Sequence, residues 1–270
     1  MGAPQAGGAE GSWSPADGPR CRAGAGYEYR SVDAVIIINQ DKSLGDLVEQ
    51  FPQLAREFER RGLDYCCGGG KSLAQACAAS GLDPTSTVAE LAAAASTSQP
   101  AEWSGMDAAE LCDHLELVHH AYLKEELPRL SALVAKIESV HGGRHPELAE
   151  VGRCYEEVRA DLEPHLLKEE RVLFPMAREL AHAATAPEFH CGTLRNPISV
   201  MLVEHDRVGE LLATLRHLTG GFQPPADGCA TYVACYQGLQ QLEADTHLHI
   251  HKENNVLFPR IVRMESELGR

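Results

Sequence analysis

The chain has 270 residues, 24 Lys and Arg against 39 Asp and Glu, a formal net charge of −15 and 44% hydrophobic residues. That length allows one large or two modest domains with a real core, and the acidic balance argues against nucleic acid or an anionic membrane as the main partner, since both attract basic patches. No run of about 18 apolar residues occurs, so no segment is expected to span a membrane, and the N-terminus lacks the basic, apolar, small-residue order of a signal peptide. Nine cysteines, an odd number scattered through a mid-sized chain, predict free thiols in a reducing cytoplasm rather than a disulfide framework.

Residues 1–42 read as a disordered N-terminal extension. The first 32 are rich in Gly, Ala, Pro and Ser, a composition that buries too little apolar surface to order itself. The run Val35-Ile36-Ile37-Ile38 follows, a strand or an extended arm. Residues 43–96 read as a small helical domain. Ser43 is a candidate cap for a helix carrying Leu44, Leu47, Val48 and Phe51 at three- and four-residue spacings, and Leu54 and Phe58 continue the pattern after Pro52. Cys66-Cys67-Gly68-Gly69-Gly70 interrupts it, and further helices start near Ser72 and Val88. Ser96 to Pro100 reads as a linker. Residues 106–268 read as four long amphipathic helices, roughly 107–139, 146–184, 196–218 and 228–267, separated by Gly142-Gly143, His190 to Pro197, and Gly220-Gly221 with Pro224-Pro225. The expected fold class is all-α, an up-down-up-down four-helix bundle behind a small helical domain.

An internal repeat carries the chemistry. His165-Leu-Leu-Lys168-Glu169-Glu-Arg-Val172-Leu173-Phe174-Pro175 matches His249-Ile-His-Lys252-Glu253-Asn-Asn-Val256-Leu257-Phe258-Pro259 at an offset of 84 (165 to 249). In each unit His and Glu are four apart and leave the same helix face. At an offset of 85, Leu117, His120, Leu123, Leu127 and Leu130 map onto Leu202, His205, Val208, Leu212 and Leu215. Each half is thus a helix pair supplying one His and then His-x-x-x-Glu. The candidate ligands are His120, His165, Glu169, His205, His249 and Glu253. Polar groups aimed into an apolar seam are costly unless paired or metal-bound. Four imidazoles and two carboxylates suit two octahedral ions, with each carboxylate bridging both. Cysteine is absent from the set, which disfavours structural zinc. The Leu-Phe-Pro of each unit reads as core packing plus a helix bend.

Two registers stay open on the residues alone. Leu111, Leu115, Val118 and Tyr122 form a stripe that favours His119, whereas the repeat favours His120. His247 and His251 are also four apart, whereas the distance to Leu-Phe-Pro selects His249. His114, His141, His145, His182, His190 and His217 have no repeat partner and read as surface residues or residues just behind the ligands. The cysteines other than Cys66 and Cys67 read as unreactive.

With these residues in hand, the bundle resembles a hemerythrin-like domain. The chain from about Leu44 resembles the iron-sulfur cluster repair di-iron proteins of the YtfE and ScdA type. The resemblance is carried by Leu63-Asp64-Tyr65-Cys66-Cys67-Gly68-Gly69, by His165 to Pro175, by Pro197 to Met201 with Glu204-His205-Asp206, and by Glu253 to Arg260. It implies two non-haem Fe ions, oxo- and carboxylate-bridged, held by the same six ligands. It also implies a homodimer, and damaged iron-sulfur proteins and nitric oxide or another diatomic as partners. It places Glu204 close to the irons, where a carboxylate tunes iron lability or relays protons. Cys66 and Cys67 would contact the damaged cluster, accept iron or pass reducing equivalents, and the Gly-rich turn before Ser72 could lower a thiol pKa. Two departures stand out: Gly70 is inserted before Lys71, and the fifth His of oxygen-carrying hemerythrins is missing.

The function so read is repair of iron-sulfur clusters after nitrosative or oxidative stress, by a repair protein or iron donor rather than a turnover enzyme. A nitric oxide or peroxide reductase, an oxygen or nitric oxide sensor or carrier, and a metal-free adaptor are the rivals.

Overall fold

Ser43 accepts a hydrogen bond from Asp46 N and starts α1 (Leu44–Gln50). This is the expected use of a short hydroxyl side chain at a helix N-terminus. In the computed structural model residues 38–95 and 101–269 are described. The N-terminal tail with Cys21, most of the Val35–Ile38 run, and the 96–100 linker lie outside them. After α1, α2 (Leu54–Arg61) ends at Gly62, which takes the left-handed φ of 64° that a side chain resists. Ser72 and Gln75 form a reciprocal cap for α3 (Leu73–Ala79), and α4 (Pro84–Ala95) closes the layer. Leu44, Leu47, Val48, Leu54, Phe58, Leu73 and Leu91 are buried together. A short antiparallel contact ties Ser43 to Ser72: Leu44 N donates to Lys71 O at 2.9 Å, and Gly45 N to Gly69 O at 2.9 Å. The Cys66–Gly70 loop is thereby fastened to α1.

Four long helical runs follow. The first is α5 (Ala108–Leu115), a widened π turn (Glu116–His120) and α6 (Ala121–His141). The second is α7 (Leu148–Lys168), a widened turn (Glu169–Leu173) and α8 (Phe174–His182). The third, α9 (Arg195–Leu218), is regular throughout. The fourth is α10 (Ala230–His251), a widened turn (Lys252–Leu257) and α11 (Phe258–Leu268). The candidate ligands lie early in the first and third runs and late in the second and fourth, and all meet at one level. Consecutive runs are therefore antiparallel. The bundle core has two apolar blocks. One contains Leu127, Leu130, Val134, Tyr155, Val158, Leu212 and Leu239; the other contains Leu111, Leu115, Leu173, Phe174, Met201, Leu257 and Phe258. Burying each such side chain stabilises the fold by about 1.5–3 kcal/mol. The polar cluster sits between the blocks.

The widened turns revise the helix reading. A π turn takes up an extra residue, and one residue turns an α-helix by about 100°. Upstream of the first turn the repeat therefore runs at an offset of 86: buried Cys112 and Leu115 correspond to buried Ile198 and Met201. Leu117 and Leu202, matched in the sequence reading, are instead exposed, at 76% and 39%. The bend expected at Leu-Phe-Pro is a widened turn, and the prolines start the regular helix after it.

Candidate metal centre

His120, His165, Glu169, His205, His249 and Glu253 are all buried. They form two interlocked groups: His120, His249, Glu169 and Glu253, and His165, His205, Glu169 and Glu253. His120 Nε2 lies 3.3 Å from His249 Nε2, and His165 Nε2 lies 3.1 Å from His205 Nε2. Each carboxylate offers one oxygen to each half. Glu169 Oε2 is 3.5 Å from His120 Nε2 and Oε1 is 3.3 Å from His165 Nε2. Glu253 Oε1 is 3.2 Å from His249 Nε2 and Oε2 is 3.2 Å from His205 Nε2. Among the described residues none of these four oxygens has a hydrogen-bond partner. Burial works against ionisation, yet the facing imidazoles outweigh it and hold both carboxyls below their ordinary range. Buried carboxylates whose oxygens face only imidazole nitrogens are what a multivalent cation requires. The residues present fit such a group.

The backs of three of the four imidazoles are held, whereas His249 Nδ1 has no hydrogen-bond partner among the described residues. A carboxylate can only accept, so Nδ1 carries the proton and Nε2 is left free to face the centre. His120 Nδ1 donates to Glu170 Oε1 at 2.9 Å, and Lys124 Nζ reaches the same oxygen at 2.5 Å. His165 Nδ1 donates to Glu204 Oε2 at 2.9 Å, and Lys168 pairs with the other oxygen. His205 Nδ1 donates to Asn254 Oδ1 at 2.7 Å. Glu170 and Asn254 occupy the same repeat position, one past each glutamate, a signal available in the sequence but not used there. Glu204 thus touches His165, behind the candidate ligands.

His119 is buried too, but both its nitrogens are occupied. Nδ1 donates to Asp245 Oδ1 at 2.9 Å, and Nε2 accepts from Lys252 Nζ at 2.7 Å. Burial and the Lys252 ammonium keep it neutral, with a pKa lowered to about 3. Its ring stacks on His249 with centroids 5.4 Å apart. Lys252 also donates to His114 Nε2 at 2.8 Å and lies 4.2 Å over the Trp103 ring. Burial lowers the Lys252 pKa to about 8. His114 and His141, read as surface residues or residues just behind the ligands, are both buried. His114 contacts this network, whereas His141 lies at the far end of α6. His247 and His251 turn instead toward the small domain, where both rings pack against Tyr65.

The two thiols sit where the small domain meets the bundle. Asp64 accepts from the backbone N–H groups of Cys66, Cys67 and Gly68 at 3.2, 3.0 and 2.8 Å and shapes the loop. Cys66 is buried against the bundle core, and its Sγ is 3.8 Å from that of Cys67. The Cys67 thiol, burial and Asp64 push the Cys66 thiol well above its ordinary range. This corrects the expectation of a lowered pKa there, because the neighbours of the thiol are acidic or apolar. Cys66 and Cys67 line a cavity of about 480 Å³ together with Glu59, Asp64, Asp206, Arg216, Glu243 and His247. The inserted Gly70 has open space around it and is accommodated without contact. Cys229 departs from the unreactive reading. It is exposed, and His141 Nε2 at 3.2 Å together with backbone N–H groups lowers its pKa to about 7.

Comparison with known proteins matches this geometry. The hemerythrin HHE cation-binding domain model covers residues 113–261. The ScdA N-terminal domain model, described only as a domain of unknown function, covers residues 40–95. The iron-sulfur cluster repair protein YtfE of Escherichia coli O157:H7 is 36% identical over 226 residues, 84% of this chain and 99% of the relative. The chain belongs to the YtfE family of hemerythrin HHE-domain proteins. The protein of the same name from Escherichia fergusonii is 35% identical over the same shares of the two chains. A cation-binding domain is consistent with the His and Glu cluster and its buried carboxylates. Among the described residues no helix is long and apolar enough to cross a membrane.

Proposed function

We propose that the protein holds two irons and uses them to rebuild iron-sulfur clusters damaged by nitric oxide or oxidants. His120 and His249 would hold one ion, His165 and His205 the other, and Glu169 and Glu253 would bridge them. The observation that carries this reading is the one oxygen each carboxylate directs to each half of the cluster. The names of the relatives supply the client class. When bound, the iron pair supplies redox change and a place for a diatomic ligand.

The chain itself does the rest. Glu170, Glu204 and Asn254 fix the imidazole tautomer and orientation and set ligand basicity. The apolar blocks on either side exclude bulk water. Lys168 pairs with Glu204 and keeps that carboxylate ionised against His165. Cys67, half-buried at the cavity, would present sulfur to a client with the buried Cys66 thiol behind it, as sulfur ligands suit iron-sulfur material. Giving the iron-loaded protein a nitric oxide-damaged cluster protein should restore client activity. No recovery, with sustained nitric oxide consumption in the presence of a reductant, would replace repair by a reductase. Elemental analysis should return two irons per chain.

A further inference from the structure

The repeat has diverged where it meets the thiol loop. The widened turn Lys252–Leu257 carries Glu253 and then Asn254 and Asn255. Asn254 Oδ1 accepts from His205 Nδ1 at 2.7 Å, while its Nδ2 points to Cys66 O at 3.4 Å. Asn255 Nδ2 donates to Cys66 O at 3.0 Å and Tyr65 O at 3.2 Å. A Cβ on Gly69 would come within 2.5 Å of Asn255 Oδ1, so the side chain is inserted into the loop. Cys67 Sγ lies 3.8 Å from where a Cβ on Gly209 would be, and Gly209 is about one helical turn past His205. The repeat counterparts in the other half, Glu170 and Arg171, do not reach this loop: Glu170 holds His120 and Lys124, and Arg171 is exposed.

The chemistry differs as well. His120 and His165 donate to carboxylates, whereas His205 donates to a neutral amide. A charge-assisted hydrogen bond behind an imidazole is the stronger one and makes the ring a better metal ligand. His205 is therefore backed less strongly than His120 and His165, and it is the ligand tied to the thiols. On the opposite side of the cluster His249 stacks on His119, which the buried Lys252 and Asp245 fix.

We propose that Asn254 is a positioning residue that couples the Cys66–Cys67 loop to the ion held by His165 and His205. This inference rests on the two-ion reading above. Because coupling is reciprocal, an ion at His205 must also alter the environment of the thiols.

The test uses the full chain loaded with ferrous or ferric iron, without a client. Asn254→Asp, which places a carboxylate behind His205, should slow the release of half of the iron to a strong chelator by about tenfold, at the low end of the usual effect of such a partner, and leave the other half alone. Glu170→Gln should accelerate only the release of that other half. Iron loading should change the alkylation rate of Cys67, read by peptide mass mapping, and Asn254→Leu should abolish that change while the protein still takes up two irons. If Asn254→Leu fails to load, Asn254→Asp decides. An Asn254→Asp effect on all of the iron or on none of it, or iron-dependent alkylation surviving in a loaded Asn254→Leu protein, would each overturn the proposal. Iron-dependent alkylation without client recovery would instead overturn the repair function and leave this coupling intact.

Discussion

The apolar block distal to the cluster and the layer that holds the cluster solve opposite problems. The distal block buries Leu130, Val134, Ile137, Val151, Val158 and Leu215. Its interior polar contacts include Tyr155 Oη donating to Leu127 O at 2.6 Å and the Tyr232–Tyr236 hydroxyl pair. The helices there are regular. The cluster layer, between the two apolar blocks, buries His119, His120, His165, Glu169, His205, His249, Lys252 and Glu253, and three of the four helical runs widen at or beside a candidate ligand there. Apolar burial asks only that side chains fall on one face, which the 3.6-residue period delivers. Convergence of six donors on one point asks for directions that the period does not deliver, and the backbone departs from it. The apolar block supplies stability, and the cluster layer spends some of it on a function.

The largest test of this contrast removes the metal. Chelation should lower stability by about 4 kcal/mol for each bound ion relative to protein kept at free metal a thousandfold above Kd. Calorimetry reads the total. Hydrogen exchange should place the loosening in Lys252–Leu257 and spare the distal part of α6, and uniform loosening of both regions would break the contrast. Next, Leu212→Ala in the distal apolar block should cost about 2–5 kcal/mol in urea unfolding while iron content stays at two per chain. Loss of iron in that variant would mean the two regions are not independent. Third, Glu204→Gln should weaken metal binding by about ten- to a hundredfold, or about 1.4–2.7 kcal/mol, measured by chelator competition, with little change in the unfolding of the metal-free protein.

The smallest effect concerns the distal rim. The thiolate is the reactive form, and the His141 contact and backbone N–H groups stabilise it at Cys229, lowering the pKa to about 7. Alkylation of Cys229 should therefore be slow in acid, rise through pH 7 and level off above it. His141→Gln should move that rise toward the ordinary thiol value of 9.0. An unchanged profile would show that the pair does not set the reactivity.

The sequence repeat was enough to single out the six residues that converge, because each position carries side-chain chemistry that an ordinary core would not keep. It misjudged what depends on backbone detail. The stripe through Val118 pointed to His119 because it assumed a regular helix, and Val118 is 44% exposed past the widened turn. Leu117 was matched to Leu202 for the same reason. The contacts of His114 and His141 depend on partners distant in the chain, Lys252 and Cys229, whereas the raised Cys66 pKa comes from Cys67 beside it, burial against the bundle and Asp64. Periodicity reports which face is inward but not which residue lies across it. Glu170 and Asn254 were within reach, as equivalent positions beside each glutamate.

The fit of Asn255 into the small domain bears on modularity. Two family models divide the chain into what look like interchangeable parts, yet the joint between them is keyed. Asn255 Oδ1 would lie 2.9 Å from a Cβ on Gly45 and 2.5 Å from one on Gly69, and the Gly69 Cβ would also meet Tyr65 O at 2.5 Å. The backbone contact between Gly45 N and Gly69 O holds both glycines in one wall. A chimera that grafts another protein's segment in place of residues 40–95 would seat on this bundle only if it brought glycine to both positions. Shuffling of the two parts is therefore restricted to donors that share this keyhole, however similar their helices are elsewhere.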